Sequence, residues 1–125
     1  MTTLNPLILR RVVENLPRFQ YRFSNEVGLH EGIDYVLRQS MVEFEREVVA
    51  TAQDRFDFLV DDSIVIEAKV KGSLSPALRQ CARYAALPQV QAVVLVATRF
   101  WAGTPAQYVA CGKPIHIVRL QGKAF

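Results

Sequence analysis

Two carboxylates and a lysine lie close together in the middle of the chain: Asp57, Glu67 and Lys69. Carboxylate oxygens are hard ligands of the kind that Mg²⁺ and Mn²⁺ prefer. Such an ion polarises a phosphoryl oxygen and lowers the pKa of a bound water, and a lysine beside it stabilises negative charge that develops on the phosphate. These residue types therefore indicate metal-dependent phosphodiester hydrolysis. A purely structural explanation is an exposed Glu–Lys pair that discourages aggregation of an edge strand.

The segment around these residues predicts a β-hairpin. Residues 55–60 and 64–70 each alternate polar and apolar side chains, and a turn signal joins them. Because successive side chains on a strand point to opposite faces, Glu67 and Lys69 share the polar face of the second strand. Asp57 is expected on the polar face of the first strand, so pairing of the two strands would bring all three side chains into one patch. The apolar set of the first strand consists of Phe56, Phe58 and Val60.

Asp57 and the Glu67-Ala68-Lys69 tripeptide, with the elements around them, resemble the PD-(D/E)XK nuclease superfamily over about residues 24–120. The resemblance implies an α/β fold with a restriction-endonuclease-like core of helix, three-stranded β-meander, helix and strand, in which helices flank a central mixed sheet. It also implies that Asp57, Glu67 and the backbone carbonyl of Ala68 bind the metal. Lys69 is the catalytic lysine in this interpretation.

A Gln-x-x-x-Tyr pattern from Gln80 to Tyr84 follows the Glu-x-Lys strand and resembles the RecB-like and lambda-exonuclease-like branch of the superfamily. The pattern lies on a helix predicted at 74–87, where the two side chains are one turn apart at the border of the apolar face. The resemblance implies contact with a nucleotide or with the metal-bound water. An ordinary helix border would also explain these two residues. Phe56 stands where the superfamily motif has its proline.

Glu26 is predicted to be a further metal ligand. A helix is expected from an N-cap at Ser24 to about Gln39, and at about 100° per residue Glu26 falls inside the apolar stripe of this helix while Glu31 lies opposite. A buried carboxylate is costly unless it is paired or binds a metal. The superfamily also usually has an acidic residue on this helix. A simpler explanation is that Glu26 only complements the helix dipole.

Three more polar residues are given lesser roles. His30 and Asp34 border the apolar stripe of the same helix and are expected at the surface. Glu47 lies on a strand predicted at 41–50 and is the reserve candidate for the metal site.

Beyond a buried strand predicted at 90–97, residues 99–114 combine aromatic side chains with cations. These aromatic residues could stack on unpaired bases, or form a hydrophobic lid or a dimer contact, and the sequence leaves the choice open.

The N-terminal residues 1–22 are basic. Four arginines and one glutamate give this segment a charge of +3, equal to that of the whole chain. A short helix is predicted at 7–16. Arg10 and Arg11 are therefore candidates for contacts with nucleic-acid phosphates, and the solvated face of a packing helix is an equally good explanation of them.

Composition favours one compact domain. The chain has 125 residues, of which 50% are hydrophobic, enough for one core. No apolar run approaches the ~20 residues that span a bilayer, the first residues do not resemble a signal peptide, and the two cysteines form no metal or disulfide pattern. We therefore expect a cytoplasmic protein that has no contact with membranes.

Together these features predict a single nuclease domain over residues 1–125 that hydrolyses DNA with Mg²⁺ or Mn²⁺. A domain of this size has little surface to surround a duplex, so a homodimer or a larger complex stays open. Two further functions also stay open: a Holliday-junction resolvase, and a nuclease-fold module that binds DNA or protein without cutting. Small nucleases of this kind occur in phages and mobile elements.

Overall fold

The computed structural model describes residues 3–21, 25–98, 101 and 103–122. Its helices are α1 (Pro6–Asn15), α2 (Glu26–Gln39) and α3 (Leu74–Ala85), with a short 3-10 helix at Leu16–Arg18. Its strands are β1 (Gln20–Tyr21), β2 (Phe44–Val49), β3 (Arg55–Val60), β4 (Ile64–Lys69), β5 (Ala92–Ala97), β6 (Gln107–Ala110), β7 (Lys113–Arg119) and β8 (Gln121–Gly122).

Six of these strands form one mixed sheet in the order β2-β3-β4-β5-β7-β6. The β2-β3 and β3-β4 pairs are antiparallel, β4-β5 and β5-β7 are parallel, and β6 is antiparallel to β7. Strands β1 and β8 form a separate two-stranded sheet. The predicted α/β fold with a central mixed sheet and flanking helices is confirmed. Strand β6 was expected to be loop, because its four residues are too short for a clear alternation.

Helices cover both faces of the sheet. One hydrophobic cluster joins α1 and α2, through residues such as Val12 and Ile33, to the side chains of Ile66 and Val94. A second cluster joins α3 to the opposite side chains of the same strands. All six residues of β5 are buried, as the sequence predicted, because a parallel strand covered on both faces needs apolar residues on both.

Helix α2 begins one residue later than expected. Ser24 lies outside the described residues, and Asn25 is the N-cap, with its side chain accepting a hydrogen bond of 2.8 Å from the amide of Gly28. An Asn side chain at this position satisfies one of the unpaired amides of the first helical turn. This cap fixes the point at which α2 begins.

The predicted β3–β4 hairpin is confirmed, and a tight turn joins its two strands. Asp61 and Asp62 both have φ 53°, the left-handed conformation that a tight hairpin turn requires at its two central residues. One prediction for β3 is wrong, because its apolar residues do not share a face: Phe58 packs on the α1–α2 side and Phe56 on the α3 side. The two phenylalanines on either side of Asp57 thus contribute to different hydrophobic clusters.

Among the residues that the structure describes, no helix combines the length and apolar character needed to cross a lipid bilayer.

Candidate functional site

Asp57 and Glu67 meet where β3 and β4 cease to pair. The paired residues of this hairpin end at Phe58 and Ile66, one position before the two acids. The amide of Ala68 donates a 2.8 Å hydrogen bond to Asp57 Oδ2, and the amide of Asp57 donates a 3.4 Å bond to Glu67 Oε1. Each carboxylate thus accepts from the backbone of the opposite strand. The hairpin therefore brings the two acids together, as the sequence predicted.

Glu67 is buried, with 4% of its surface exposed. Burial raises the pKa of its carboxyl group to about 7, and the negative charge of Asp57 adds to the rise. The hydrogen bond from the Asp57 amide and the nearby charges of Lys69 and His30 act in the opposite direction. A buried carboxylate beside a second carboxylate is unfavourable unless a cation compensates it.

His30 is the site residue that sequence reasoning missed. It was expected at the surface, but it is buried, and its Nε2 atom lies 3.6 Å from Asp57 Oδ2. Nε2 has no hydrogen-bond partner among the described residues. The Asp57 carboxylate raises the pKa of His30, which burial by itself would lower, and the charge of Glu26 adds to the rise. The sequence signal that could have identified His30 is its spacing from Glu26, which places the two residues one turn apart on one helix face.

Asp34 was also expected at the surface and is buried, but its role is different. Its carboxylate lies 2.6 Å from Arg38 Nε and 3.4 Å from Arg46 Nη1, and Arg46 also lies 2.9 Å from Glu31. Arg46 comes from β2, so these ion pairs join α2 to the edge of the sheet. Asp34 and Glu31 therefore hold α2 in place, and both are already paired.

The sequence predicted Glu26 on the buried face of α2. In the structure it is exposed, in the first turn of this helix. The described residues contain no group of three or more Asp, Glu, His or Cys side chains arranged to hold a metal ion. The role of Glu26 as a metal ligand stays a prediction. Glu47, the reserve candidate, is exposed and lies 3.9 Å from Arg55 in an ion pair.

A cavity of about 540 Å³ separates the start of α2 from the end of β4. Glu26 lines it on the helix side, and Lys69 and Lys71 line it on the strand side. The charge of Lys69 is close enough to Glu67 to oppose the rise in its pKa. Two lysines and one glutamate therefore line this cavity, and the lysine ammonium groups suit an anionic ligand.

Gln80 and Tyr84 form a hydrogen bond of 2.9 Å, which agrees with their predicted position one turn apart. Tyr84, however, is buried, with its ring 5.0 Å from that of Phe56, and its hydroxyl donates to the carbonyl of Arg55 at 3.2 Å. A buried ring is not open to a nucleotide. Tyr84 instead holds Gln80 and the start of β3, and a contact with DNA by the half-buried Gln80 stays a prediction.

Arg10 and Arg11 belong to a packed helix. Leu9 and Val12 of α1 are buried in the core, while Arg10 pairs with Glu14 at 2.8 Å on the exposed face. Arg11 donates a 3.3 Å hydrogen bond to the carbonyl of Ser40, at the C-terminal end of α2. At 1.5 Å per residue, this point is about 15 Å along α2 from His30. Helix α1 therefore packs on the core, and a phosphate contact by these arginines stays a prediction, at a place remote from the two acids.

Comparisons with known proteins gave no match: no protein-family model, no curated protein and no solved structure is significantly similar to the chain. The functional assignment therefore depends on the residues and geometry of the site.

Proposed function

We propose that the chain is a metal-dependent nuclease of the PD-(D/E)XK superfamily that hydrolyses DNA phosphodiester bonds. The observation that carries this proposal is the Asp57–Glu67 pair, whose members accept hydrogen bonds from each other's strands, with Lys69 two residues beyond Glu67. The order of elements from α2 through β2, β3, β4 and α3 to β5 also agrees with the restriction-endonuclease-like core that the resemblance implies.

The residues present fit a divalent cation. Two carboxylates lie side by side with one of them buried, and the buried Nε2 atom of His30 faces Asp57 without a hydrogen-bond partner among the described residues. A cation would remove the repulsion between the two acids. Asp57 and Glu67 would hold the ion with the carbonyl of Ala68, and His30, whose Nε2 atom lies 3.6 Å from Asp57 Oδ2, would orient this carboxylate.

Each residue near the ion has a separate task in this proposal. When bound, Mg²⁺ or Mn²⁺ supplies Lewis-acid stabilisation of the phosphate and a water of lowered pKa. Lys69 stabilises the charge that develops on the phosphate or orients the attacking water, because its ammonium group is a compact cation. Tyr84 and Gln80 hold the start of β3, and therefore Asp57, in position. The cavity lined by Lys69 and Lys71 admits the phosphodiester.

The test is incubation of the protein with Mg²⁺ or Mn²⁺ and linear, circular, single-stranded and junction DNA. Wild type should cleave at least one of these, and Glu67→Ala should cleave none. Glu45→Ala is the matched control, because Glu45 is an exposed acid on β2 and its loss should leave activity unchanged. Equal activity in wild type and Glu67→Ala would refute the assignment. Cleavage of junctions alone would identify a resolvase, and binding without cleavage would identify a non-cutting module.

A further inference from the structure

A second cavity lies beside the proposed catalytic residues, on the α3 side of the sheet. Its volume is about 210 Å³, and its lining includes Ala97, Trp101, Thr104, Pro105, Ile117 and Arg119. This volume is below the ~300–1,000 Å³ of pockets that take drug-sized ligands. The walls are an indole ring and aliphatic side chains, and an arginine adds positive charge. An aromatic face with a nearby cation is the combination that binds single nucleobases of unpaired strands.

The sheet register connects this cavity to the catalytic lysine. Lys69 pairs with Ala97 on β5, and Ala97 pairs with Arg119 on β7. Paired residues on adjacent strands carry their side chains on the same face, so these three form one row. Adjacent strands are about 4.8 Å apart, which places the backbone of Arg119 roughly 10 Å from that of Lys69. The cavity is therefore within reach of the nucleotide next to the one that is cut.

Trp101 is held against the segment that follows Lys69. Its indole Nε1 donates a 3.4 Å hydrogen bond to the carbonyl of Gly72, and its ring packs partly buried against the cluster under α3. This contact joins one wall of the 210 Å³ cavity to the segment that carries Lys69 and Lys71 in the larger cavity. Both cavities therefore border the segment from Lys69 to Gly72, which suits a nucleic-acid strand that places its phosphate at one cavity and its base at the other.

We propose that this cavity binds an unpaired nucleobase of the DNA substrate by stacking on Trp101, next to the phosphate that is hydrolysed. The proposal rests on the proposed nuclease function and gives it a substrate class: DNA that is single-stranded or frayed at the point of cleavage. A base within a duplex is stacked on its neighbours, so the cavity would accept it only after the pair opens. The protein should accordingly bind and cut single strands in preference to intact duplexes.

Trp101 is the only tryptophan in the chain, so its fluorescence reports directly on the cavity. Titration with a single-stranded oligonucleotide in Ca²⁺, a hard-oxygen-binding ion chosen to limit turnover, should quench this fluorescence, whereas a duplex of the same sequence should quench it much less. One abasic site scanned along the oligonucleotide should abolish quenching at one position, and it should lower the affinity there by the contribution of one stacked base. Equal quenching by every abasic oligonucleotide would overturn the proposal.

Substitutions separate stacking from general binding. Trp101→Leu should weaken binding of labelled single strands by roughly 5- to 150-fold, the usual contribution of one stacked base. Trp101→Phe, which retains a ring, should keep most of the affinity. Tyr35→Leu is the control, because Tyr35 is a half-exposed aromatic residue on another surface. Unchanged binding and cleavage of single strands by a folded Trp101→Leu variant would refute the stacking role.

The failure of this inference and that of the nuclease assignment give different results. If wild type cuts DNA with Mg²⁺ but its fluorescence does not respond to single strands, the nuclease assignment stands and the base-binding cavity is refuted. If single strands quench the fluorescence in a position-dependent way but no DNA is cut with Mg²⁺ or Mn²⁺, the cavity stands and the nuclease assignment is refuted.

Discussion

The Nε2 atom of His30 on α2 lies 3.6 Å from Oδ2 of Asp57 on β3. This contact links the first core helix to the sheet at the position where β3 and β4 separate. The ring of His30 also meets that of Phe58 edge-on at 5.6 Å, so packing fixes its orientation. The imidazole is therefore directed toward the carboxylate by the core itself, and a metal held by Asp57 would have His30 next to it.

The first prediction concerns this contact. His30→Ala should weaken the binding of Mn²⁺, measured by calorimetry, by roughly 10- to 100-fold, the usual effect of losing a group that orients or completes a metal site. His116→Ala is the matched control, because the chain has only two histidines and His116 lies on β7. Equal Mn²⁺ affinity in wild type and His30→Ala would show that the imidazole has no part in the site.

The second prediction concerns the acids. With metal at about 100 times its dissociation constant, wild type should gain about 2.7 kcal/mol of stability, seen as a higher Tm. Asp57→Asn and Glu67→Gln should each lose most of this gain, because each removes a negative ligand. Glu45→Gln, on the exposed face of β2, should retain it. A full metal-dependent rise in Tm for Glu67→Gln would mean that the ion binds elsewhere.

The third prediction concerns the pH dependence of stability without metal. Glu67 has its pKa raised from 4.5 to about 7 in the folded protein, so between these values the folded state holds more protons than the unfolded state. The free energy of unfolding should therefore fall as pH rises through this range, by an amount on the order of 3 kcal/mol from this group. The favourable contribution is complete below pH 4.5 and lost above pH 7.

Chemical denaturation in a chelator between about pH 5 and 8 measures this effect as the difference between wild type and Glu67→Gln. The comparison is needed because two histidines titrate in the same range. His30, whose pKa is raised by Asp57, adds to the loss of stability as pH rises, whereas His116, whose pKa is lowered by burial, opposes it. A difference between the two proteins that does not change with pH would contradict the buried position of Glu67.

The fourth prediction separates catalysis from binding. Lys69→Ala should lower kcat far more than it weakens DNA binding, because the lysine acts on charge that develops in the transition state. Neutralising Arg10 and Arg11 together should leave kcat unchanged, since the Arg11 contact lies about 15 Å along α2 from His30. Lys71→Ala is the control for loss of a nearby cation and should mainly weaken binding. A Lys69→Ala variant that cuts at the wild-type rate would refute its catalytic role.

The fifth prediction concerns the support of α2. A Cβ atom at Gly32 would lie 2.6 Å from Cδ2 of Tyr21, whose ring is fully buried and whose hydroxyl donates to the carbonyl of Leu16. Gly32→Ala should therefore destabilise the protein by about 1–3 kcal/mol through overpacking, despite the better helix propensity of alanine. Gln39→Ala, on the exposed side of α2, should change stability little. Thermal denaturation of the two variants tests the contact.

The sequence by itself determined the elements that hold the two acids. Alternation in 55–60 and 64–70 predicted the hairpin, and the period of two predicted that Glu67 and Lys69 share a face. The apolar residues of β5 predicted a strand covered on both sides. The helix-start residues and the apolar stripes predicted the bounds of α2 and α3 to within two residues at each end. These features depend on the periodicity of a single element, which the order of residues specifies directly.

Tertiary structure alone decided how deeply each side chain lies and what it meets. The helix wheel placed Glu26 inside the stripe and His30 at its border, but the sheet covers His30 and leaves Glu26 exposed. Tyr84 was expected to face a ligand and is instead enclosed between α3 and β3. The period of apolar residues gives the direction of a side chain relative to its own helix or strand. Its burial and its pKa depend instead on which neighbouring element packs over it. That neighbour is distant in sequence.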